Sequence, residues 1–333
     1  MKYRRFRLCI AVMSICTLWV AVAQVSIAAE QLTVGVLKFG TVNWQLRTVK
    51  DMGLDKAAGI DLEILPLASK NATSIALQAD TADIIVTDWI WALRQRAEGE
   101  DFLFVPYTHS LGALVLAEGV VIKGFAGLKG KKIGIAGGPL DKSWLVMRAS
   151  TIRHLGYDIL DQSEPVFGAP PLLSEQLRQG RLDAVLTFWP YAARLKAEGF
   201  VTAARVENIL AELGISRAPS LVGYVFRERL ADRAPGSVKG FFQAIAQANE
   251  ILRTDDAAWQ RIRPLMKAAT DAEFEALKAG YRAGIPDPAK AHETAGAVEL
   301  FQIMKQMGGA KLLGRAQKFD PELFWVPDRS GAQ

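Results

Sequence analysis

The stretch Leu77-Gln78-Ala79-Asp80-Thr81-Ala82-Asp83-Ile84-Ile85-Val86-Thr87 has a counterpart in Leu177-Arg178-Gln179-Gly180-Arg181-Leu182-Asp183-Ala184-Val185-Leu186-Thr187. Each reads as the end of a helix, a tight turn, an Asp and an apolar strand closing on Thr. Each also runs directly into aromatic residues, Trp89 and Trp91 in the first and Phe188, Trp189 and Tyr191 in the second. A helix, turn and strand of this kind is common, but the matching aromatic exits are harder to attribute to chance.

Working outward from the first stretch, Gln31 to Phe39 alternates apolar and polar residues as a strand does, and a helix follows from about Asn43 to Ala58. A short strand spans Asp61 to Leu65, and Ser69 or Asn71 stands as N-cap of a helix to Ala79. Asp83 to Thr87 is a strand and Asp88 to Ala97 a helix. Around the second stretch the alternation restarts. Lys131 to Ala136 is a strand leading into Gly137-Gly138-Pro139, Asp141 to Leu155 a helix, Glu164 to Phe167 a strand and Leu172 to Gln179 a helix. Asp183 to Thr187, Tyr191 to Glu198 and Leu221 to Phe226 follow as strand, helix and strand. From Pro235 the chain is almost wholly helical, with Phe241, Ile245, Ala248 and Leu252 forming one apolar face. Alternating strands and helices with short connections predict mostly parallel sheets flanked by helices.

The chain has 333 residues, half of them hydrophobic and 23% charged, which excludes disorder and fibrous classes and is long enough for two cores. Its formal charge of +5 invites an acidic partner, yet the excess sits at the start. Lys2, Arg4, Arg5 and Arg7 precede an apolar run from Leu8 to Val22, and Ser26-Ile27-Ala28-Ala29 offers a cleavage site, the pattern of a secretory signal over residues 1–29. The run is shorter than the ~20 residues that span a bilayer. Met13-Ser14-Ile15 before Cys16 matches a lipoprotein signal poorly, and Arg4-Arg5 lacks the rest of a twin-arginine pattern. Removing the signal leaves 36 basic against 35 acidic residues and takes both cysteines, Cys9 and Cys16. Nucleic-acid binding thereby loses its electrostatic basis, and thiol chemistry its thiols. The expected product is a near-neutral periplasmic protein cleaved near Ala28/Ala29.

The opening Leu32-Thr33-Val34-Gly35-Val36, Leu128-Lys129-Gly130-Lys131-Lys132-Ile133-Gly134-Ile135, Leu177 to Asp183 before Ala184-Val185, and Trp189-Pro190-Tyr191 resemble a known family. It is the periplasmic substrate-binding proteins of ABC transporters, in the nitrate, sulfonate, taurine and thiamine-precursor group (NMT1/THI5-like). The resemblance covers Leu32 to about Gly308. It implies a two-lobed α/β fold, the type II periplasmic-binding-protein fold, each lobe a mixed mostly parallel sheet flanked by helices, with a helical C-terminal region. Two crossing segments, near Glu118–Val121 and Gly214–Ser220, would divide the chain into lobe one (30–119 plus 216–333) and lobe two (120–215). The resemblance further implies a monomer without cofactor that closes on a small molecule by hinge motion and hands it to a permease and its ATPase.

In open parallel sheets ligands sit beyond the carboxyl ends of strands. Those places hold Phe39, Asn43 and Trp44; Ser69 and Asn71; Thr87, Asp88 and Trp89; Gly138, Asp141 and Trp144; and Thr187 and Trp189. Relatives that bind oxyanions often present a small hydroxyl residue where Asp141 stands. Asp88 and Asp141 are either helix caps or ligand contacts, and both roles can hold together. With Trp44, Trp89, Trp144 and Trp189 they predict an aromatic, acidic cleft for an amine, a zwitterion or an amino-substituted heterocycle, with sulfonates also in view. Trp91, Trp259 and Trp325 are assigned to the core. A cation held by the two carboxylates would need more oxygens than the sequence shows.

Catalytic motifs fail individually. There is no G-x-S-x-G, His292-Glu293 continues as Thr294-Ala295-Gly296, and Gly124 to Lys132 departs from a P-loop in spacing and in Lys132. His109, His154 and His292 lie far apart and read as structural or surface residues. The alternative function is an enzyme like the thiamine-pyrimidine synthases that share this fold. Those carry a cysteine-rich motif and work inside the cell, which a cysteine-free exported chain does not match.

Overall fold

The computed structural model describes residues 30–215, 218–286 and 294–326. The signal read over 1–29 and His292 lie outside them. The chain opens with β1 (Glu30–Leu37) and α1 (Val42–Asp51), and Gly53 at φ 64 then separates a short α2 (Leu54–Ala57). The left-handed glycine breaks the single helix expected over 43–58. There follow β2 (Ile60–Leu67), α3 (Lys70–Gln78), β3 (Ile84–Asp88), α4 (Trp89–Ala97) and β4 (Phe102–Thr108). Next come β5 (Gly112–Leu116), β6 (Lys132–Ala136), α5 (Lys142–Leu155), α6 (Ile159–Gln162), β7 (Glu164–Gly168) and α7 (Pro170–Arg178). The second unit ends with β8 (Ala184–Phe188), α8 (Trp189–Ala197), β9 (Val201–Arg205) and α9 (Val206–Glu212). After β10 (Val222–Arg227) the chain is helical: α10 (Glu228–Arg233), α11 (Pro235–Thr254), α12 (Asp256–Met266), α13 (Asp271–Gly284) and α14 (Thr294–Leu313).

Two five-stranded sheets result, in the orders β2-β1-β3-β10-β4 and β7-β6-β8-β5-β9. In each, three parallel strands are followed by one antiparallel strand and then one that pairs antiparallel with it, so four of five strands point the same way. This is the mixed, mostly parallel α/β architecture expected. The repeated stretches occupy the same position in both sheets, ending as β3 and β8. Asp83 accepts the Thr33 amide at 2.9 Å, and Asp183 accepts the Lys132 amide at 2.8 Å. Each Asp therefore ties its strand to the neighbouring parallel one. The turns before them hold Asp80 at φ 53 and Gly180 at φ 65, the same left-handed step made by a tolerant residue and by glycine.

The antiparallel strand of each sheet, β5 or β10, is the one entered as the chain changes sheets. Because β5 pairs with β8 and β9, the first crossing lies over residues 109–111, ahead of the 118–121 expected. Only pairing distinguishes β5 from an extension of the first unit. The return falls between α9 and β10. The crossings touch where His109 Nδ1 lies 3.3 Å from Ala218 O, and the His109 amide donates to Gly284 O at the end of α13 at 2.8 Å. His109 thus sits at the junction of the two crossing segments.

Strand alternation distributes the apolar residues over three cores. Ile84 faces α1 and α11 to α13, whereas Ile85 faces a core shared with Ala184 and Leu186 of β8, Trp144 of α5 and Leu300 of α14. Val185 faces the third, with Leu173, Leu177 and Leu195. Strands buried on both faces read as unbroken apolar runs, which is how β3 and β8 were legible. The C-terminal helices serve both sheets, since α13 packs on α8 and α14 on α5.

Candidate functional site

At the carboxyl ends of the parallel strands, three helices begin with side-chain caps. Ser69 Oγ accepts the Ala72 amide at 3.2 Å, and Asp88 Oδ1 accepts the Trp91 amide at 3.0 Å. Asp141 Oδ1 accepts the amides of Ser143 and Trp144 at 3.0 and 3.3 Å. These caps satisfy backbone donors that no intrahelical partner can reach. The cap reading of both aspartates thus holds. It leaves one oxygen of each carboxylate over.

Asp88 Oδ2 accepts a hydrogen bond from Lys142 Nζ at 3.0 Å. Asp88 ends a strand of the first sheet and Lys142 is the first residue of α5 on the second, so this ion pair joins the two units. Lys70, the first residue of α3, is exposed and makes no ion pair among the described residues. Its ammonium lies 5.9 Å from the Phe188 ring at the end of β8. Both lysines occupy the first turn of a helix, where the macrodipole disfavours a cation.

Electrostatics separates the two carboxylates. Burial pushes Asp88 upward, but the charges of Lys142 and Lys70, with the Lys142 and Trp91 hydrogen bonds, outweigh it and hold the carboxyl below its usual range. For Asp141 burial prevails over the same two lysines and the capping amides, so the carboxyl is held above that range. Asp141 Oδ2 makes no hydrogen bond among the described residues. It lies 3.0 Å from the place where a Cβ of Gly137 would be, at φ +99, so a glycine there leaves room for the carboxylate.

The aromatic residues divide. Trp44 is buried in the first unit, and its ring centroid lies 6.1 Å from Trp189, 6.1 Å from Trp259 and 5.8 Å from Tyr281. Trp189, from α8 of the second unit, rests on Gly280 of α13, where an added Cβ would come within 3.0 Å of its ring. Arg194 of the same helix donates to Met266 O at 2.7 Å and pairs with Glu273. This aromatic group is therefore a seam between the units. Trp89 and Trp144, by contrast, are fully buried in the shared core, Trp89 edge-on to Phe319 at 5.7 Å. Trp259 is core as assigned, while Trp91 and Trp325 are partly buried against Phe102 and Phe242.

The other expected positions scatter. Phe39 is 72% exposed, with the Lys267 ammonium 4.3 Å from its ring. Asn43 donates to Leu37 O and Gly40 O, both at 2.8 Å, and so shapes its own loop. Asn71 is exposed on α3; Thr87 is buried at the end of β3; Gly138 contributes backbone at φ 141. Thr187 is buried with Oγ1 lacking a hydrogen-bond partner among the described residues. The expected acidic, tryptophan-lined cleft is corrected on both counts: Lys70 and Lys142 balance the two carboxylates, and Trp89 and Trp144 belong to the core. Sequence reading passed over the lysines, although a cation directly after an N-cap at both helix starts is a departure from local preference that could have found them.

A sequence profile for the family described as NMT1/THI5 like matches residues 49–257. Among solved structures, the chain is similar to the periplasmic aliphatic sulphonate-binding protein SsuA from Escherichia coli. The two are 19% identical, with 90% of this chain and 92% of that chain covered at a TM-score of 0.68. The ligand-binding component of an ABC-type import system from Staphylococcus aureus, solved with zinc bound, is 13% identical over 89% of this chain and 98% of that one, at 0.65. The desulfurization enzyme DszB is 17% identical over 86% and 96%, at 0.59. At such identities the likeness is one of fold. No curated protein matches the chain significantly.

Proposed function

Because the chain belongs to the NMT1/THI5-like family, we propose that it is the solute-binding component of an ABC importer. It is exported to the periplasm, cleaved near Ala28/Ala29, and acts as a monomer that captures a small polar molecule between two lobes and delivers it to a membrane permease and its ATPase. Lobe one is built on the first sheet and lobe two on the second, the first crossing being over 109–111. The observation that carries this reading is the Asp88–Lys142 ion pair, which draws a strand end of the first sheet to a helix start on the second. The similarity to solute-binding proteins of importers supports it.

Thermal melting of the exported protein against sulfonates, amines, zwitterions, aminopyrimidines, nitrate and metal ions tests it. A true ligand at 100 times its dissociation constant adds about 2.7 kcal/mol of stability. A flat response across the whole panel would refute a binding role. An enzyme is the second reading, since DszB shares the fold and burial raises the Asp141 carboxyl above its ordinary range, the direction a general acid needs. Product formed from an organosulfur or pyridoxal-type substrate, and lost in Asp141→Asn, would favour it.

A further inference from the structure

Helix α13 of the first unit is fastened at one end by the first crossing and at the other by the second unit. At its C-terminal end Ser110 Oγ donates to Gly280 O at 2.9 Å and the His109 amide to Gly284 O at 2.8 Å. A Cβ on Gly284 would collide with Thr108 Oγ1 and Ser110 Oγ, so the crossing lies directly on the helix. At its N-terminal end, the turn from α12 is clasped by Arg194 of α8. The guanidinium donates to Met266 O at 2.7 Å and Lys267 O at 3.2 Å, carbonyls at the end of α12 that no amide of that helix reaches. It also pairs with Glu273, which is buried and accepts the Ala269 amide at 2.6 Å. Arg194 of the second unit thus caps a helix of the first.

We infer that Arg194 is a latch that holds the two lobes together before any solute arrives, so that solute entry waits on its release. The inference rests on the two-lobed reading above and adds a conformational control to it. Its basis is leverage. The crossing grips α13 at Gly284 and the latch grips it at Glu273, about 16 Å away along the helix at its rise per residue. Between the two grips Trp189 rests on Gly280, near enough to the crossing to move little. Turning the second unit about the crossing by roughly 10°, in the direction that parts α8 from α12, carries Arg194 ~3 Å from its acceptors, beyond hydrogen-bond range. Hinge opening in that direction therefore cannot begin without breaking the Met266, Lys267 and Glu273 contacts together. A guanidinium shared by a carboxylate and two helix-end carbonyls is among the stronger polar contacts a chain makes, and it exists only while the lobes are together.

Residues 30–333 contain no cysteine, so a spin-label pair can be placed by Ile75→Cys on α3 and Leu172→Cys on α7, exposed positions of the first and second units. Electron–electron distances are measured on the full exported protein, refolded to remove any co-purified solute, with none added. The labelled parent is expected to show one short-distance population. Arg194→Gln should raise the longer-distance population at least about tenfold, and Glu273→Gln should raise it less, because the α12 carbonyls stay capped. Circular dichroism establishes that each variant is folded, and Glu273→Gln decides if Arg194→Gln is not. A parent already spread over long distances, or folded variants with the parent's distribution, overturns the latch and leaves solute binding intact, since no solute takes part. A flat melting response to the solute panel overturns the binding reading and leaves these distances as they are.

Discussion

Replacing Lys142 by Met removes the ammonium while keeping a side chain of similar reach, so it isolates the charge that joins the two units. The pair is 3.0 Å long, with the side chains 22% and 11% exposed, between the surface and buried cases. Breaking a buried pair costs ~3–5 kcal/mol and an exposed one ~0–1, and Lys70 remains nearby, which places the loss at about 2 kcal/mol. If the closed arrangement alone uses the pair, the same energy shifts closure about thirtyfold toward open. Urea unfolding of wild type, Lys142→Met, Asp88→Asn and the double variant would measure it, with a coupling of ~1–2 kcal/mol expected. The pH dependence has a definite sign. In the wild type Asp88 sits below its usual range, so its stabilisation is present above the ordinary carboxylate pKa and is lost as pH falls through the lowered value. Without Lys142 the Asp88 carboxyl should rise, and the deficit of the variant should shrink on acidification to pH ~4. A coupling below ~0.3 kcal/mol, or an equal deficit at both pH values, would refute the electrostatic account.

Asp141→Asn should stabilise the unliganded protein at neutral pH. Its carboxyl is raised on folding, so the charged form disfavours the fold above the ordinary carboxylate range, and the gain over wild type should vanish as pH drops below it. Paired urea melts at pH 7 and pH ~3.5 check this. Trp189→Ala empties the seam against Trp44 and Tyr281, and should lower stability by ~2–3 kcal/mol, since the ring is only partly buried. Gly280→Ala should cost ~1–3 kcal/mol through its contact with the Trp189 ring, and much less in the Trp189→Ala background. Gly180→Ala, with nothing near its Cβ, should cost ~1 kcal/mol from the left-handed backbone alone; an unchanged melting midpoint would contradict that turn geometry.

The α/β class, the strand and helix sequence around both repeated stretches, and the helical tail were all legible along the chain. Each depends on residues close in sequence: apolar runs for β3 and β8, Asp or Ser at helix starts, Gly or Asp at left-handed turns. Two of the four edge strands, β4 and β9, and β5 next to β9, were missed, whereas the edge strands β2 and β7 were read. All three missed strands lie around an antiparallel pairing in which the chain leaves or enters a sheet, outside the strand–helix alternation that made the parallel strands legible. The single helix over 43–58 failed for the opposite reason, since one glycine outweighed a helical pattern.

The site shows the same boundary. Sequence alone placed Asp88 and Asp141 at helix starts, and the structure keeps them there as caps. What a cap does with its second oxygen depends on what lies opposite, and only the folded chain brings Lys142 to Asp88 Oδ2 and leaves Asp141 Oδ2 without a hydrogen bond among the described residues. Trp89 and Trp189 leave equivalent strands, donating their amides to Leu221 O and Leu111 O, yet one enters the shared core and the other the seam between units. Local sequence determined where those side chains begin. Tertiary packing decided where they end, because burial and charge balance are set by neighbours remote in sequence, and no pattern within a single segment contains them.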